Sequence, residues 1–300
     1  MLVSGRVRAT RRLSARKAIH EFARTNAPAY TVSDGERVVV ETKDCFSGLI
    51  RSEKTRFEDV SMDLVNPATG PIAVEGLTSG EALCVSIERI RCGKTGVVVC
   101  SPTLGILGKD VRKSRTRIVK IRGNRARWSD DLWIDLHPHI GVIGVSPKQG
   151  KFPTFHPGDF GGNMDTRDAC EGSKVYLPTF VDGGMVSIGD VHANMGDGEI
   201  CGTGIEVPSE ITLRISKAPE LDIRRPMIET SAEWMTFAAA KTLDEAAQLA
   251  SSDMVKFIMN MRGTDFEDAY MIASVAADLR VSQVVDPLMA VRMVVSKKYL

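Results

Sequence analysis

The sequence lacks three features that would each have pointed to a class of protein. No apolar run approaches the ~20 residues that a helix needs to cross a bilayer, which argues against a membrane protein. The net charge is only +1, so charge gives no reason to expect nucleic acid or an anionic membrane surface as a partner. The six cysteines form no CxxC pair. Because no secretory signal is recognisable either, we expect reduced thiols and a cytoplasmic protein.

Motifs of several enzyme classes are missing as well. Residues 105–110 resemble the end of a phosphate-binding loop, but Asp110 stands where serine or threonine is needed. No G-x-S-x-G elbow occurs, so an α/β-hydrolase is not supported. The basic stretch at 112–127 contains no aromatic residue and therefore lacks the stacking groups of single-strand binders.

The first two thirds of the chain have the pattern of a β protein. Apolar and polar positions alternate in short runs, for example at 82–90, and glycine or proline turns separate these runs. This pattern predicts a sandwich or a partly open barrel, of jelly-roll or CUB-like type. Helices are expected only in the C-terminal third, which makes the predicted fold mainly β and α+β overall.

Two helix signals follow a change of composition near Pro226. A capping box at Thr242–Glu245 predicts a helix that ends at Gly263, and a second box at 264–267 predicts a helix that runs to about residue 279. Residues 289–295 then alternate like a closing strand.

The expected organisation is one large domain preceded by a basic segment. Residues 1–19 are rich in arginine and form the segment, which we interpret as solvated. Residues 20–225 form the β-rich body and 226–300 the helix-containing part.

The stretch from 157 to 207 concentrates polar side chains among glycines. Its candidate ligands are Asp159, Asn163, Asp165, Asp168, Asp190, His192, Asp197 and Glu199. Three pairs are spaced i, i+2, namely Asn163 with Asp165, Asp190 with His192, and Asp197 with Glu199. Side chains two apart in extended chain share a face, so the pairs could surround one point. Carboxylate, amide and imidazole groups together are what a hydrolytic metal site needs.

The residue types in this stretch indicate individual roles. We predict Asn163, Asp165, Asp190, His192 and Asp197 as metal ligands, with His192 also in a catalytic role. Gly162 is a predicted substrate-binding position, because a missing side chain lets the backbone approach an ion or a substrate closely. Glu199 is a candidate general base beside metal-activated water. Zinc is the first choice of ion, although Asp197 and Glu199 leave calcium as an alternative.

Several segments resemble the acetamidase/formamidase family. The most specific is GGN-x-D at 161–165, followed by GD-x-HA-x-x-GDGE at 189–199. Further matching segments are ETKDCFSGLI at 41–50, NPATGPIAVEG at 66–76, HPHIGVIGVSP at 137–147 and FEDAYMIASVAADLRVSQVVDP at 266–287. The segments run in family order from about residue 20 to the end of the sequence, so the resemblance covers nearly the whole chain.

The resemblance implies two more site residues and a reaction. Asp44 lies in a family segment and is expected to face the site as a catalytic group, and His137 is expected to line the substrate pocket. The implied reaction is hydrolysis of a small linear amide, such as formamide or acetamide, to a carboxylate and ammonia.

Our hypothesis is therefore a metal-assisted amidohydrolase whose partner is a small amide. Two alternatives remain open at this stage. One is hydrolysis of another C–N bond, in a cyclic or larger amide, and the other is a non-catalytic, metal-stabilised β-sandwich that serves in binding or assembly. Methionine, alanine and valine in the C-terminal helices also favour self-association, with a dimer as the simplest form.

Overall fold

The computed structural model describes residues 10–300. Predictions on residues 1–9, which form half of the basic segment, lie outside the described residues. The rest of that segment belongs to the fold, because Arg11–Leu13 pairs in parallel with residues 38–40 and Leu13 is completely buried.

Strands make up most of the described chain. The first twelve are β1 (Arg11–Leu13), β2 (Ala18–Ile19), β3 (Glu21–Ala23), β4 (Tyr30–Val32), β5 (Glu36–Thr42), β6 (Ala68–Val74), β7 (Ala82–Cys92), β8 (Thr95–Cys100), β9 (Arg115–Arg122), β10 (Arg125–Arg127), β11 (Trp133–Asp135) and β12 (His139–Gly144). The others are β13 (Lys151–Pro153), β14 (Pro157–Gly158), β15 (Gly161–Asn163), β16 (Lys174–Pro178), β17 (Val186–His192), β18 (Glu206–Val207), β19 (Ser209–Lys217), β20 (Met227–Glu229), β21 (Glu233–Ala240), β22 (Ala277–Gln283) and β23 (Met289–Ser296).

Two α-helices occur in residues 10–300, both in the C-terminal third. Helix α1 spans Leu243–Arg262, with the Thr242 hydroxyl accepting from the Glu245 N–H at 3.2 Å and Gly263 closing it in the left-handed conformation, as predicted. Helix α2 spans Phe266–Ala276 and is capped by Asp265. It ends earlier than predicted, because the chain turns into β22 at Ala277. Short 3₁₀ turns lie at Phe57–Asp59, Met62–Leu64, Gly108–Asp110 and Lys297–Tyr299.

The described strands form two large sheets and one small one. Nine strands follow the order β1-β5-β19-β7-β16-β20-β21-β23-β22. The second sheet has twelve strands, with the path β11-β10-β9-β8-β18-β17-β12-β15-β14 and with β2, β4 and β6 attached through β17. Strands β3 and β13 pair separately.

The main hydrophobic core lies between the two large sheets, and the helices cover a second apolar surface. Leu213 of the nine-stranded sheet and Val142 of the twelve-stranded sheet belong to one buried cluster. Strand β21 contributes to both surfaces, because Phe237 joins this core whereas Ala238 packs in the cluster that contains α1 and α2. A mainly β fold with C-terminal helices is thus confirmed, and the sandwich or barrel type stays a prediction.

No helix within residues 10–300 is long and apolar enough to cross a membrane.

Candidate active site

Three neighbouring strands of the twelve-stranded sheet place the central side chains of the site. His139 on β12 lies opposite His192 on β17, and His192 lies opposite Glu206 on β18. Residues directly opposite in antiparallel strands point to the same face. Strand pairing therefore aligns two imidazoles and a carboxyl group in one buried row.

His192 is surrounded by acidic side chains. Its Nε2 lies 3.2 Å from Glu206 Oε1, 3.7 Å from Asp190 Oδ2 and 3.7 Å from Glu199 Oε1. All four side chains are buried. Asp165 belongs to the same cluster, because it, His192 and Glu199 each offer a ligand atom within 4.8 Å of the other two.

A hydrogen-bonded chain fixes the tautomer of His192. The Nδ1 of His139 lies 2.8 Å from the His137 carbonyl oxygen, which can only accept, so His139 carries its proton on Nδ1. Burial lowers the pKa of His139 well below its ordinary value, so the ring is neutral and its Nε2 accepts. His192 Nδ1, 3.2 Å away, therefore donates to it. The Nε2 of His192 then points at the acidic side chains, of which Glu206 Oε1 is the nearest at 3.2 Å.

Two asparagine amides connect the acidic groups. Asn163 Nδ2 donates to Asp165 Oδ2 at 2.6 Å and to Asp286 Oδ2 at 2.9 Å. Asn66 Nδ2 donates to Asn163 Oδ1 at 3.2 Å and to Asp190 Oδ2 at 3.1 Å. The amide of Asn163, a predicted ligand, is thereby fully engaged in holding its neighbours.

The buried acids resist ionisation. Burial, reinforced by neighbouring carboxylates, raises the pKa of Asp165, Asp190 and Glu199 well above the ordinary range. Burial likewise raises the pKa of Glu206 to about 8 and that of Asp286 to about 8. In the absence of a bound cation, this centre therefore stays folded most readily when several of the groups carry protons.

Unsatisfied atoms in the same cluster fit a divalent metal ion. Asp165 Oδ1, Asp190 Oδ1 and Glu206 Oε2 are buried and have no hydrogen-bond partner among the described residues. Buried oxygens without donors are costly unless a cation or a proton compensates them. A neutral imidazole nitrogen beside them completes the donor set of a zinc-like ion. A second group, formed by Cys45, Asp190 and Glu206, adjoins the first.

The backbone of the site is strained. Asn66, Asp165, Asp190 and Glu199 all have positive φ, between 42° and 51°, although none is glycine. Such conformations cost of order 1–3 kcal/mol each and cluster at functional sites. Gly141 lies directly beneath, and a Cβ there would come within 2.6 Å of Asp165 Oδ1. The absence of a side chain at Gly141 is what lets the acidic groups approach each other.

The cluster opens into a cavity of about 330 Å³. Asp190, Glu199, Glu206 and Asp286 are among its lining residues. Cys45 lines it beside these acids, where burial raises the pKa of its thiol well above the ordinary value and the thiol donates to Asn66 Oδ1 at 2.7 Å. A protonated, donating thiol does not act as a nucleophile, so the cavity favours chemistry at the carboxylates and His192.

A buried arginine on β23 ties together the segments that carry the acids. Arg292, which is 3% exposed, donates from Nε to Asp168 Oδ2 at 2.5 Å and from Nη2 to both oxygens of Asp197, at 3.0 and 2.9 Å. Asp168 follows Asp165 in the chain and Asp197 precedes Glu199. One guanidinium thus fixes the approach of two loops, each of which places a carboxylate beside His192.

The neighbouring strand β22 adds to this support. Ser282 accepts at Oγ from Thr166 at 2.9 Å, and its carbonyl oxygen accepts from the Gly198 N–H at 2.8 Å. Gln283 Oε1 accepts from the backbone N–H groups of Val285 and Asp286. The carboxylate of Asp286 is therefore held by the same strand that holds the other two loops.

The structure brings together most of the predicted ligands but not all. Asn163 with Asp165 and Asp190 with His192 meet as their spacing suggests. Asp197 does not join them, because its carboxylate pairs with Arg292 while that of Glu199 faces His192. The rule for extended chain fails there, since Gly198 and Glu199 both have positive φ and form a turn.

Three other predicted residues lie at the margin of the site. Asp44 accepts the backbone N–H groups of Phe46 and Gly48, each at 2.9 Å, and so holds its own turn instead of lining the cavity. Gly162 packs against the His156 carbonyl, which a Cβ would approach to 2.2 Å. The side chain of His137 is exposed, and only its carbonyl oxygen takes part, as the acceptor for the buried His139.

Sequence reasoning did not select four residues of the centre. They are Asn66, His139, Glu206 and Asp286. Each lies in or near a segment with family resemblance, but none is paired in the sequence with another ligand. Only strand register and the return of the chain at β22 bring them to His192.

Comparisons with known proteins find relatives that match nearly the whole chain. The profile of the Acetamidase/Formamidase family matches residues 17–153 and 149–296. The crystal structure of an acetamidase from Bacillus halodurans superposes with a TM-score of 0.94 at 40% identity, covering 96% of this chain and 98% of that one. A Thermoanaerobacter tengcongensis protein, predicted from sequence to be an acetamidase/formamidase, gives a TM-score of 0.94 at 36% identity, with 96% of each chain covered.

A curated relative is matched over a shorter span. A formamidase-like protein of Schizosaccharomyces pombe is 24% identical over 248 residues, which are 62% of this chain and 60% of that protein. The chain thus spans less than two thirds of this relative.

Replacing Arg292 should weaken metal binding without any change to a ligand. We expect Arg292→Met to lower the affinity for Zn²⁺ by about 10- to 100-fold, the usual cost of losing an outer partner of a metal ligand. The affinity of Arg292→Lys for Zn²⁺ should lie between those of Arg292→Met and the wild type, because lysine keeps the charge but cannot make the contacts of two guanidinium nitrogens. Competitive titration against a chromogenic chelator measures both. Arg280→Met, on the neighbouring strand, is the matched control, and wild-type affinity in folded Arg292→Met would contradict the argument.

The metal-free protein should lose stability as the pH rises. A carboxyl group whose pKa is raised on folding binds its proton more tightly in the folded chain, so ionisation destabilises the fold. Stability should be full below the ordinary glutamate value of 4.5 and should fall up to about 8, the folded pKa of Glu206. We expect a loss of at least about 3 kcal/mol over this range, since one pKa unit corresponds to about 1.4 kcal/mol.

Urea unfolding in the presence of a chelator, repeated across this pH range, measures the effect. Glu206→Gln should flatten the profile, and the exposed Glu220→Gln should not. Saturating Zn²⁺ should restore stability at the upper end of the range. A wild-type urea midpoint that does not change with pH would contradict the prediction that ionisation of the acidic cluster destabilises the metal-free fold.

Proposed function

This chain belongs to the acetamidase/formamidase family, and from that premise we propose that it is a metal-assisted amidohydrolase. Its substrate is a linear amide, whose C–N bond is cleaved to give a carboxylate and ammonia. Relatives named as acetamidase support the reaction class. The metal dependence is supported by the chain's own donor groups.

One observation carries the proposal above all others. The Nε2 of His192 lies 3.2 to 3.7 Å from three carboxyl groups, those of Asp190, Glu199 and Glu206, which also line the cavity. A divalent cation here would compensate the carboxylates and bind the imidazole nitrogen, whereas protons compensate them when no cation is bound. The same arrangement places groups able to transfer protons next to the place where an amide would bind.

We propose that Asp165, His192 and Glu199 hold the ion. When bound, a divalent ion supplies Lewis acidity toward the amide carbonyl and toward water. The imidazole ligand favours zinc over calcium, which prefers an all-oxygen shell. His139 keeps His192 in the tautomer that can bind the ion, and Arg292 keeps the loops of Asp165 and Glu199 in place.

Proton transfer falls to the acidic groups that line the cavity. Glu199 was the expected general base, but in this arrangement it is a ligand, and Glu206 takes over the role. The Glu206 carboxyl lies 3.2 Å from His192 Nε2 and lines the cavity, so it can exchange a proton with water or an amide bound there. Glu206 would accept the proton of the attacking water and deliver it to the departing nitrogen. Asp190, bonded to Asn66, completes the acidic wall.

We further propose that the protein self-associates through α2. Four apolar side chains on this helix, Phe266, Tyr270, Met271 and Val275, are each at least half exposed, and Val275 is 85% exposed. Strand β22, which follows, ends the nine-stranded sheet. Exposed apolar side chains beside a sheet edge favour contact with a second copy of the chain across a two-fold axis, which fits a dimer.

Replacing His192 should remove metal and activity together. We expect His192→Ala to lose its bound metal and to release ammonia from acetamide more than about a hundredfold more slowly, beyond the usual cost of losing an outer partner. Metal analysis by mass spectrometry and an ammonia assay measure the two effects. Glu206→Gln should separate them, since it keeps the metal but slows turnover.

The matched control is His137→Ala, which removes an exposed imidazole two residues from His139. It should retain metal and turnover, because the site uses only the backbone carbonyl of His137. Full activity in His192→Ala would refute the proposed mechanism. Full metal content with no activity toward any amide in the wild type would refute the proposed function.

Charges placed on α2 should dissociate the assembly. We expect Met271→Glu/Val275→Glu to be monomeric by sedimentation velocity at concentrations where the wild type is dimeric, because carboxylates would be buried against each other. Ile106→Glu changes an exposed apolar residue elsewhere and should leave the mass unchanged. A monomeric wild type would contradict the proposed interface.

A further inference from the structure

We infer that the preferred substrate is a primary carboxamide with an apolar acyl group about the size of a phenyl ring or a branched alkyl chain. This inference rests on the proposed function and concerns the part of the cavity beyond the reacting groups. Formamide and acetamide would be the smaller and poorer substrates of the same site.

The first argument is volume. The cavity measures about 330 Å³. If each non-hydrogen atom takes roughly the 30 Å³ that a water molecule occupies in the liquid, acetamide and an ion with one water would together fill only about half of it. The remaining space matches about five or six further carbon atoms. Leaving such a space filled with water next to apolar walls would forgo binding energy.

The second argument is the chemistry of the walls. The carboxyl and amide groups of the lining lie close together, because Asn66 bonds to Asp190 and Asn163 bonds to Asp286. Much of the remaining lining is apolar and includes Phe46, Phe57, Met62, Val65, Leu104 and Phe155. Among the described residues that line the cavity, none carries a positive charge. An acidic acyl group would therefore be repelled, and a polar one would lose its hydrogen bonds to water.

The third argument is the rigidity of the apolar wall. Phe46 and Phe57 are buried, and their rings meet edge to face with centroids 6.3 Å apart. Both belong to a small hydrophobic cluster that includes Val97 and Val99 of β8. A packed aromatic wall of this kind keeps its shape without a ligand, which favours a flat or compact apolar group over a flexible polar one.

The polar end accounts for the primary amide. A primary amide nitrogen has two N–H donors, which suits the acidic lining formed by Asp190, Glu199, Glu206 and Asp286. A substituent on that nitrogen would replace one donor and would have to fit among the acidic side chains. The apolar part of the substrate must then be its acyl group, directed toward the phenylalanines.

Met62 marks the entrance to the apolar part. It lines the cavity, is 48% exposed and lies on the 3₁₀ turn Met62–Leu64. Leu64, on the same turn, is 42% exposed and does not belong to the lining. A bulky side chain should therefore narrow the cavity at position 62 but not at position 64. This makes substitutions at the two positions a matched pair.

The test measures kcat/KM for ammonia release by the metal-loaded enzyme from formamide, acetamide, butyramide, hexanamide, benzamide and phenylacetamide. We expect kcat/KM to rise by about three- to fourfold for each methylene that the apolar wall buries, and to be at least tenfold higher for phenylacetamide than for acetamide. Met62→Trp should lower the ratio of phenylacetamide to acetamide at least tenfold. Leu64→Trp should keep the wild-type ratio.

The outcomes separate this inference from the proposed function. If acetamide is hydrolysed and the larger amides are equal or poorer substrates, the inference is overturned and the proposed function stands. If Leu64→Trp and Met62→Trp change the ratio equally, the apolar wall does not select the acyl group. If the metal-loaded enzyme releases ammonia from none of the six amides, the proposed function itself fails.

Discussion

The burial of several carboxyl groups around one neutral imidazole is the constraint on which the centre of this protein depends. Asp165, Asp190, Glu199 and Glu206, together with the half-buried Asp286, would repel one another if all were ionised, and burial removes most of the water that would screen them. The fold provides donors for part of the set, through Asn66, Asn163 and the Gly204 N–H. Donors do not reach every oxygen, and the remaining atoms require protons or a cation. His192 directs its Nε2 at the acids, so an imidazole nitrogen is in place to bind such a cation.

The backbone around this centre carries strain that only the surrounding sheets can maintain. Four of the site residues have positive φ, and glycines beneath them leave no room for a Cβ. Strands β12, β17 and β18 are held on both sides by other strands, so their register is fixed far from the strained positions. Rigid strands with strained residues at their ends give a site that is formed before any ligand arrives, which lowers the cost of binding.

Local signals in the sequence predicted some of this structure, and non-local pairing explains the rest. The helix from 243 to 262 was predictable because its cap at Thr242 and its stop at Gly263 are local. The pairs at 163–165 and 190–192 were predictable because both follow or lie in extended chain. The position of the Asp197 carboxylate was not predictable, because it is bound by Arg292, nearly one hundred residues further along the sequence. His139 and Glu206 join His192 only through strand register, which a single sequence does not specify.

Arg292 does not neutralise the acidic centre. A buried guanidinium near four buried acids would be expected to neutralise them, but Arg292 is paired with Asp168 and Asp197 instead. Asp168 and Asp197 already neutralise the Arg292 guanidinium. Arg292 therefore positions the two loops and does not neutralise the acidic cluster. Two carboxylates outside the centre thus help to fix the geometry within it. Asp190, Glu199 and Glu206 also line the cavity, so the protons or the cation that compensate them can reach the cluster from the side on which a substrate would bind.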